Sequence, residues 1–284
     1  MTQPVETRLQ QMKAAVEEYM KEILGKEESA LFAAMRYAVF SEGKRFRPLL
    51  LLASGESFGA KRDLLLPFAC AIEFIHNYSL IHDDLPSMDN DDFRRGRPSC
   101  HRAFGEDVAL LAGDGLLTLA FEIMLQAPVP ETLMERKVEA IWEISRQAGP
   151  RGMIAGQFMD INLKPEIIRE EELVELMQKK TGALITASVK TGALLAAASK
   201  RDVRLMEEFG RRLGLAFQIR DDLLDVDEPG EKASDRPNYV RVVNRERARE
   251  GLKKLVGEAI EMLEVANRLT EELNYLSLKL LDVA

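Results

Sequence analysis

Apolar residues recur along this chain at steps of three and four, the spacing that lines one face of an α-helix. Val5, Leu9, Met12, Val16 and Met20 put a single stripe on an opening helix. The same periodicity predicts further helices over 28–40, 46–57, 63–85, 106–125, 131–147, 151–163, 170–199, 202–227, 243–257 and 258–281. No long alternation of the kind a half-buried strand requires interrupts them. Segments 63–85 and 170–199 are apolar over most of their circumference, as helices at the centre of a large bundle are. The breaks at Ser41-Glu42-Gly43, Gly59, Gly96-Arg97-Pro98, Pro128-Val129-Pro130, Gly149-Pro150 and Pro229-Gly230 are short, and none resembles an interdomain linker. The pattern predicts an all-α chain, folded as one domain over 1–284 in a single large bundle of about ten or more helices.

Composition supports that reading. Aromatic residues make up 6% and hydrophobic residues 46%, with Leu, Ala, Glu, Lys and Met plentiful, a mixture that favours helix over strand. A net charge of −8 and a pI near 5.2 exclude the extended basic surface of a general nucleic-acid binder. Cys70 and Cys100 are too few for a disulfide framework or an all-thiolate metal site, and they suit a reducing compartment as two buried free thiols. The segment MTQPVETRLQQMK lacks the apolar core of a signal peptide, and Asp114 or Lys190 interrupts the longest apolar stretches. The expectation is a soluble cytoplasmic protein with no integral membrane association.

Two aspartate clusters change the picture from fold to chemistry. In IHDDLPSMDNDDFRRGRP, Asp83, Asp84, Asp89, Asp91 and Asp92 follow an apolar helix, and Arg94 and Arg95 come directly after them. In FQIRDDLLDVD, the four-residue step from Asp221 to Asp225 sets two carboxylates on one helix face beside Asp222, with Gln218 one turn earlier. Paired oxygen donors suit magnesium, which keeps several waters and completes its shell with substrate phosphates. One such cluster alone reads as a solvated charged face. Two, 138 residues apart and each adjoining apolar helix, read as metal sites able to hold a diphosphate.

Cations sit where such a ligand would need them. Gly43-Lys44-Arg45-Phe46-Arg47-Pro48 lies at a helix junction, and His76 lies seven residues before Asp83, on the same face of one helix. Downstream, Gln157 and Asp160 share a face, and Lys180-Thr181-Gly182 opens a small-residue helix. A second copy, Lys190-Thr191-Gly192, leaves the choice between the two lysines open on spacing alone.

Taken together and in this order, these residues resemble the trans-isoprenyl diphosphate synthase family over nearly the whole chain. GKRFRP resembles its isopentenyl-diphosphate motif, IHDDLPSMD its first aspartate-rich motif, GQFMD and KTG its central motifs, and FQIRDDLLD its second aspartate-rich motif. The resemblance implies helices around a central cavity and condensation of isopentenyl diphosphate with an allylic diphosphate. It also implies Lys44, Arg47, His76 and Arg95 on isopentenyl diphosphate, and Arg94, Lys180, Thr181 and Gln218 facing the allylic substrate, with Gln157 among the binding residues. Asp83, Asp84, Asp89, Asp221, Asp222 and Asp225 would hold magnesium, three ions with the allylic diphosphate bound. The family match selects Lys180 over Lys190, and it implies a homodimer. His82 reads as a packing residue rather than a base. Two features depart from the family: Glu42 precedes Gly43, and the loop VDEPGEKASDRPNYV is short, with Arg236 and Tyr239 at the positions of its usual lysine and tyrosine.

Product length follows from the residues one turn before Asp83, which are Tyr78 and Ser79. A bulky Tyr78 closes the tail cavity early, and the two extra residues in Asp83-Asp84-Leu85-Pro86-Ser87-Met88-Asp89 resemble bacterial farnesyl diphosphate synthases. A fifteen-carbon product is expected; a geranylgeranyl synthase is the alternative. A class I terpene cyclase would need no GKRFRP segment with His76, and a non-catalytic subunit would have lost one aspartate cluster.

Overall fold

The opening stripe is buried along α1 (Val5–Leu24), where Leu9, Met12, Val16, Met20 and Leu24 turn inward. The computed structural model describes residues 3–25, 27–162, 168–225 and 237–282, and among them the regular structure is helical apart from one hairpin of two-residue strands. It divides into two compact units, Met1–Leu52 with Lys61–Glu131, and Ala53–Ala60 with Thr132–Ala284.

In the first unit α4 (Arg62–Asp83) is the core helix, with Phe68, Ile72, Phe74, Ile75 and Ile81 buried. It packs on α1, α2 (Ala30–Val39) and α6 (Glu106–Gln126). Pro67 stands inside α4 in its second turn, and without an N–H it leaves the Asp63 carbonyl without the usual i−4 bond. The helix α3 (Phe46–Ser57) contributes its first half here. The short α5 (Cys100–Phe104) rests on α2 and α6, and both cysteines are buried free thiols. Helices α4 and α6 are each long and apolar enough to cross a membrane, and α4 owes its apolar surface to the core it fills.

In the second unit α10 (Ala183–Leu195) and α11 (Lys200–Asp225) form the centre, flanked by α7 (Met134–Ala148) and α13 (Arg245–Val265). The helices α8 (Met153–Asn162), α9 (Glu170–Met177), α12 (Tyr239–Val243) and α14 (Glu271–Leu278) complete it.

Two expectations need correction, and one short element comes in addition. The helix expected over 170–199 is α9 and α10 joined by a π-turn, Gln178–Gly182, and it stops at Leu195 where Ala197 takes a positive φ of 54°. The break expected at 257/258 is absent: a side chain at Gly257 would meet open space, so that glycine rides an exposed face of α13, and the real stop is Asn267, φ 55°, ahead of the Thr270 cap of α14. Finally, the segment after the first cluster pairs as β1 (Phe93–Arg94) with β2 (Arg97–Pro98), too short to show alternation. The departure noted at Arg236 lies outside the described residues.

Candidate active site

The first cluster is assembled by the way α4 ends. Asp84 caps the helix, the Asp89 N–H donates to the Asp83 carbonyl at 2.8 Å, and Asn90 takes a positive φ of 52°, which turns the chain back. The hairpin then reverses through Arg95 and Gly96, both at positive φ (53° and 73°), as a tight two-residue turn requires. This returns Arg94 to Asp84: its Nε donates to Asp84 Oδ1 at 2.9 Å, its Nη2 reaches the same oxygen, and Nη2 also meets Asp91 at 3.2 Å. Burial pushes the Asp84 carboxyl above the usual carboxylate range, and the Arg94 bond opposes it. Asp83 and Asp89 are half-buried beside it.

A cationic group lies in the same unit. Arg45 is buried at a positive φ of 51°, and its guanidinium donates to Glu73 at 2.8 Å, to Glu17 at 3.3 Å and to the Val39 carbonyl at 2.8 Å. It therefore builds the junction rather than facing a ligand, and the signal for it was Glu73, a lone glutamate in the apolar run of α4. Lys44 is exposed and Arg47 half-buried, while Arg95 donates to Ser41 Oγ at 3.1 Å. His76 sits among these arginines. Burial first, then the charges of Arg47, Arg95, Arg45 and Arg94, hold its pKa well below the ordinary imidazole value, so the ring is neutral. Ser79 Oγ donates to the His76 carbonyl at 2.8 Å, and Tyr78 is buried.

The second unit gathers its own set around the π-turn. A Cβ at Gly156 would lie 2.2 Å from the Lys180 nitrogen, and one at Gly214 would lie 2.5 Å from Gly182 Cα, so α8 and α11 approach the turn backbone to backbone. Single π-turns inside helices recur at functional sites. Lys180 Nζ donates to Asp160 Oδ2 at 2.5 Å, and Thr181 Oγ1 donates to Gln218 Oε1 at 2.7 Å. Gln218 Nε2 passes the chain on to Asp222 Oδ1 at 2.8 Å. The Tyr239 N–H donates to Asp222 Oδ2 at 2.6 Å, a contact with the end of the short loop that sequence spacing does not reveal. Burial carries the Asp222 carboxyl up to about 6 against these two bonds. Asp221 is partly exposed beside Arg220 at 3.2 Å, and Asp225 is exposed. Both polar atoms of the Gln157 amide are buried without a hydrogen-bond partner among the described residues, which costs about 1–3 kcal/mol that a ligand could relieve. Lys190 is locked elsewhere, between Glu143 at 3.1 Å and Glu207 at 2.9 Å.

Among the described residues no three acidic, histidine or cysteine side chains converge closely enough to cage a metal ion. The donors present are carboxylate oxygens. That set fits an ion such as magnesium, which draws its remaining ligands from water and phosphate.

Solved structures share this architecture. An FPP/GFPP synthase from Zymomonas mobilis aligns with a TM-score of 0.85 at 35% identity, covering 96% of each chain. A geranyltranstransferase from Thermotoga maritima aligns at 0.81 and 34% identity, covering 96% of this chain and 97% of that one. The fold is that of the helical isoprenoid synthases. The polyprenyl synthetase family model matches residues 28–236, and the chain belongs to that family. Farnesyl diphosphate synthase of Geobacillus stearothermophilus is 46% identical over 233 residues, 80% of this chain and 77% of that protein. The large subunit 1 of a chloroplastic heterodimeric geranylgeranyl pyrophosphate synthase of Arabidopsis thaliana is 40% identical over 243 residues, 81% of this chain and 66% of that protein. This chain is accordingly a trans-prenyltransferase.

Proposed function

We propose that the chain is a farnesyl diphosphate synthase, which joins isopentenyl diphosphate to dimethylallyl or geranyl diphosphate and releases diphosphate. The observation that carries this reading is the 46% identity with a farnesyl diphosphate synthase over 80% of the chain. Asp83, Asp84 and Asp89, with Asp221, Asp222 and Asp225, would hold magnesium ions, three in this reading, on the allylic diphosphate, directly or through waters. When bound, magnesium would supply the positive charge that offsets the charge growing on the diphosphate as it leaves. Arg94 and Lys180 add positive charge there, and Thr181, Gln157 and Gln218 orient the substrate. Lys44, Arg47 and Arg95 grip isopentenyl diphosphate, and neutral His76 adds a hydrogen bond without a further charge. The isopentenyl double bond then attacks the allylic carbon, and the proton lost from the adduct passes to the released diphosphate. No protein nucleophile is needed.

Tyr78, 6% exposed one turn before Asp83, sets the product at fifteen carbons by ending the path of the growing tail. The alternative is a twenty-carbon product, favoured by the 40% identity with geranylgeranyl synthases. Incubation with magnesium, isopentenyl diphosphate and each allylic primer, followed by sizing of the products, decides between them. A predominantly fifteen-carbon product is expected, and in Tyr78→Ala the distribution moves to twenty carbons or beyond. A twenty-carbon product from the unaltered protein overturns the farnesyl reading.

The same reading makes residues 1–284 one catalytic domain in a cytoplasmic homodimer. Leu110, Leu111 and Leu125, exposed on the apolar helix α6, support a second copy as the covering partner. Sedimentation of the purified protein tests this, and a monomer at micromolar concentration counts against it.

A further inference from the structure

Behind Tyr78 stands a residue to which the proposed reaction gives no part. His82 lies four residues further along α4, so the two side chains stack on one helix face. Their rings meet edge to face, with centroids 5.6 Å apart and planes at 80°. His82 Nε2 lies 3.0 Å from the Leu110 carbonyl on α6, an acceptor only, so this nitrogen carries the proton and donates. Asp114 Oδ1, also on α6, is 3.8 Å from the same nitrogen.

The seat for the ring exists because position 113 is glycine. A Cβ there would fall 2.1 Å from His82 Nε2 and 2.4 Å from Cδ2, distances no real contact tolerates, so any larger residue drives the imidazole out. One helix thus supplies the missing side chain and the acceptor, and the other supplies the ring. Tyr78 is in turn held against a partner that cannot swing away without losing its hydrogen bond.

We propose that His82, seated on Gly113 and the Leu110 carbonyl, is a positioning residue that sets product length by fixing the Tyr78 ring. The inference rests on the reading of Tyr78 as the end of the tail path. It assigns His82 no proton transfer. A floor made by one aromatic ring is only as definite as the ring's orientation, and α6 fixes that orientation from the neighbouring helix.

The test compares product distributions, counted per product formed, for the unaltered protein and for Tyr78→Ala, His82→Ala, Gly113→Ala and the double variant Tyr78→Ala/His82→Ala. Folding of each is checked by thermal melting. Both His82→Ala and Gly113→Ala are expected to shift product towards the next five-carbon length, and the double variant should match Tyr78→Ala alone. Gly113→Ala acts from the other helix, so it reports on the seat even if loss of His82 disturbs the neighbouring Asp83. If Tyr78→Ala leaves product length unchanged, the floor reading itself fails and this inference falls with it. If Tyr78→Ala lengthens the product while folded His82→Ala and Gly113→Ala do not, only the positioning role is overturned. A double variant that goes well beyond Tyr78→Ala also overturns it, because His82 would then act by a separate route.

Discussion

Asp84 and Asp222 are buried to nearly the same degree, 2% and 5% exposed, but they are held by partners of different kinds. Asp84 receives the guanidinium of Arg94, delivered by the hairpin that follows its own helix. Asp222 receives two neutral donors, the Gln218 amide and the Tyr239 N–H. Burial raises both carboxyls. At Asp84 a full positive charge opposes that push, whereas at Asp222 dipoles alone oppose it and the carboxyl reaches about 6. The lesson is that equal burial does not give equal electrostatics: one cluster is built as an ion pair, the other as a carboxylate poised near its own titration.

The largest expected effect tests what the clusters share. Asp83→Ala and Asp222→Ala should each lower turnover by ~10³-fold or more with helicity intact, since in the proposed mechanism each would remove a contact to the ions that stabilise the leaving group. Chelation by EDTA should do the same. Substantial activity in either variant, measured by isopentenyl incorporation, would break the two-cluster mechanism.

The next effect separates the clusters by size. Asp84→Asn leaves a guanidinium that is one-third exposed and still paired with Asp91, so it should change stability by less than about 1 kcal/mol. Asp222→Asn removes a carboxyl that is costly to ionise and should stabilise at pH 8 by about 2–3 kcal/mol. Because the Asp222 pKa is raised on folding, its favourable contribution is complete below the unfolded value near 4 and is lost as pH rises through about 6. Urea unfolding of both variants at pH 5 and 8 checks this. Changes of equal size in both at pH 8 would erase the distinction.

Smaller kinetic effects should divide the substrates. Arg47→Ala should raise KM for isopentenyl diphosphate by about tenfold, the worth of one charge-assisted contact, and Lys180→Ala should act chiefly on the allylic substrate. Steady-state titration of each substrate against each variant reads the split, and equal impairment of both substrates by both variants would contradict it.

The smallest effect concerns His76, whose pKa is lowered on folding. Its contribution to stability is present above the unfolded value of about 6.5 and is lost as pH falls below it, by about 1 kcal/mol between pH 7.5 and 5.5. In His76→Gln that part of the pH dependence should vanish from denaturant melts.

Much of this was legible in the linear order of residues. Helix α3 begins at Phe46 and ends at Ser57 as its periodicity predicts, and the stripe on α1 is the stripe that is buried. Both patterns are local, with a period set by backbone geometry. The hairpin after Asp92 was not legible, because two-residue strands are too short to alternate. Nor was the π-turn at Gln178–Gly182, whose residues suit an ordinary helix until α8 and α11 close on it through Gly156 and Gly214.

The sequence by itself determined the helical class, the family and the positions of the carboxylates, because periodicity and motif spacing are properties of the chain taken a few residues at a time. Only the tertiary structure decided which partner each charge received. Arg45 rather than its neighbours was given to Glu73, Lys190 was tied between Glu143 and Glu207, and Asp222 was met by Tyr239. Such pairings join residues from 17 to 47 positions apart, where side chains meet only after the helices have packed, and the desolvation that sets their energies comes from that packing.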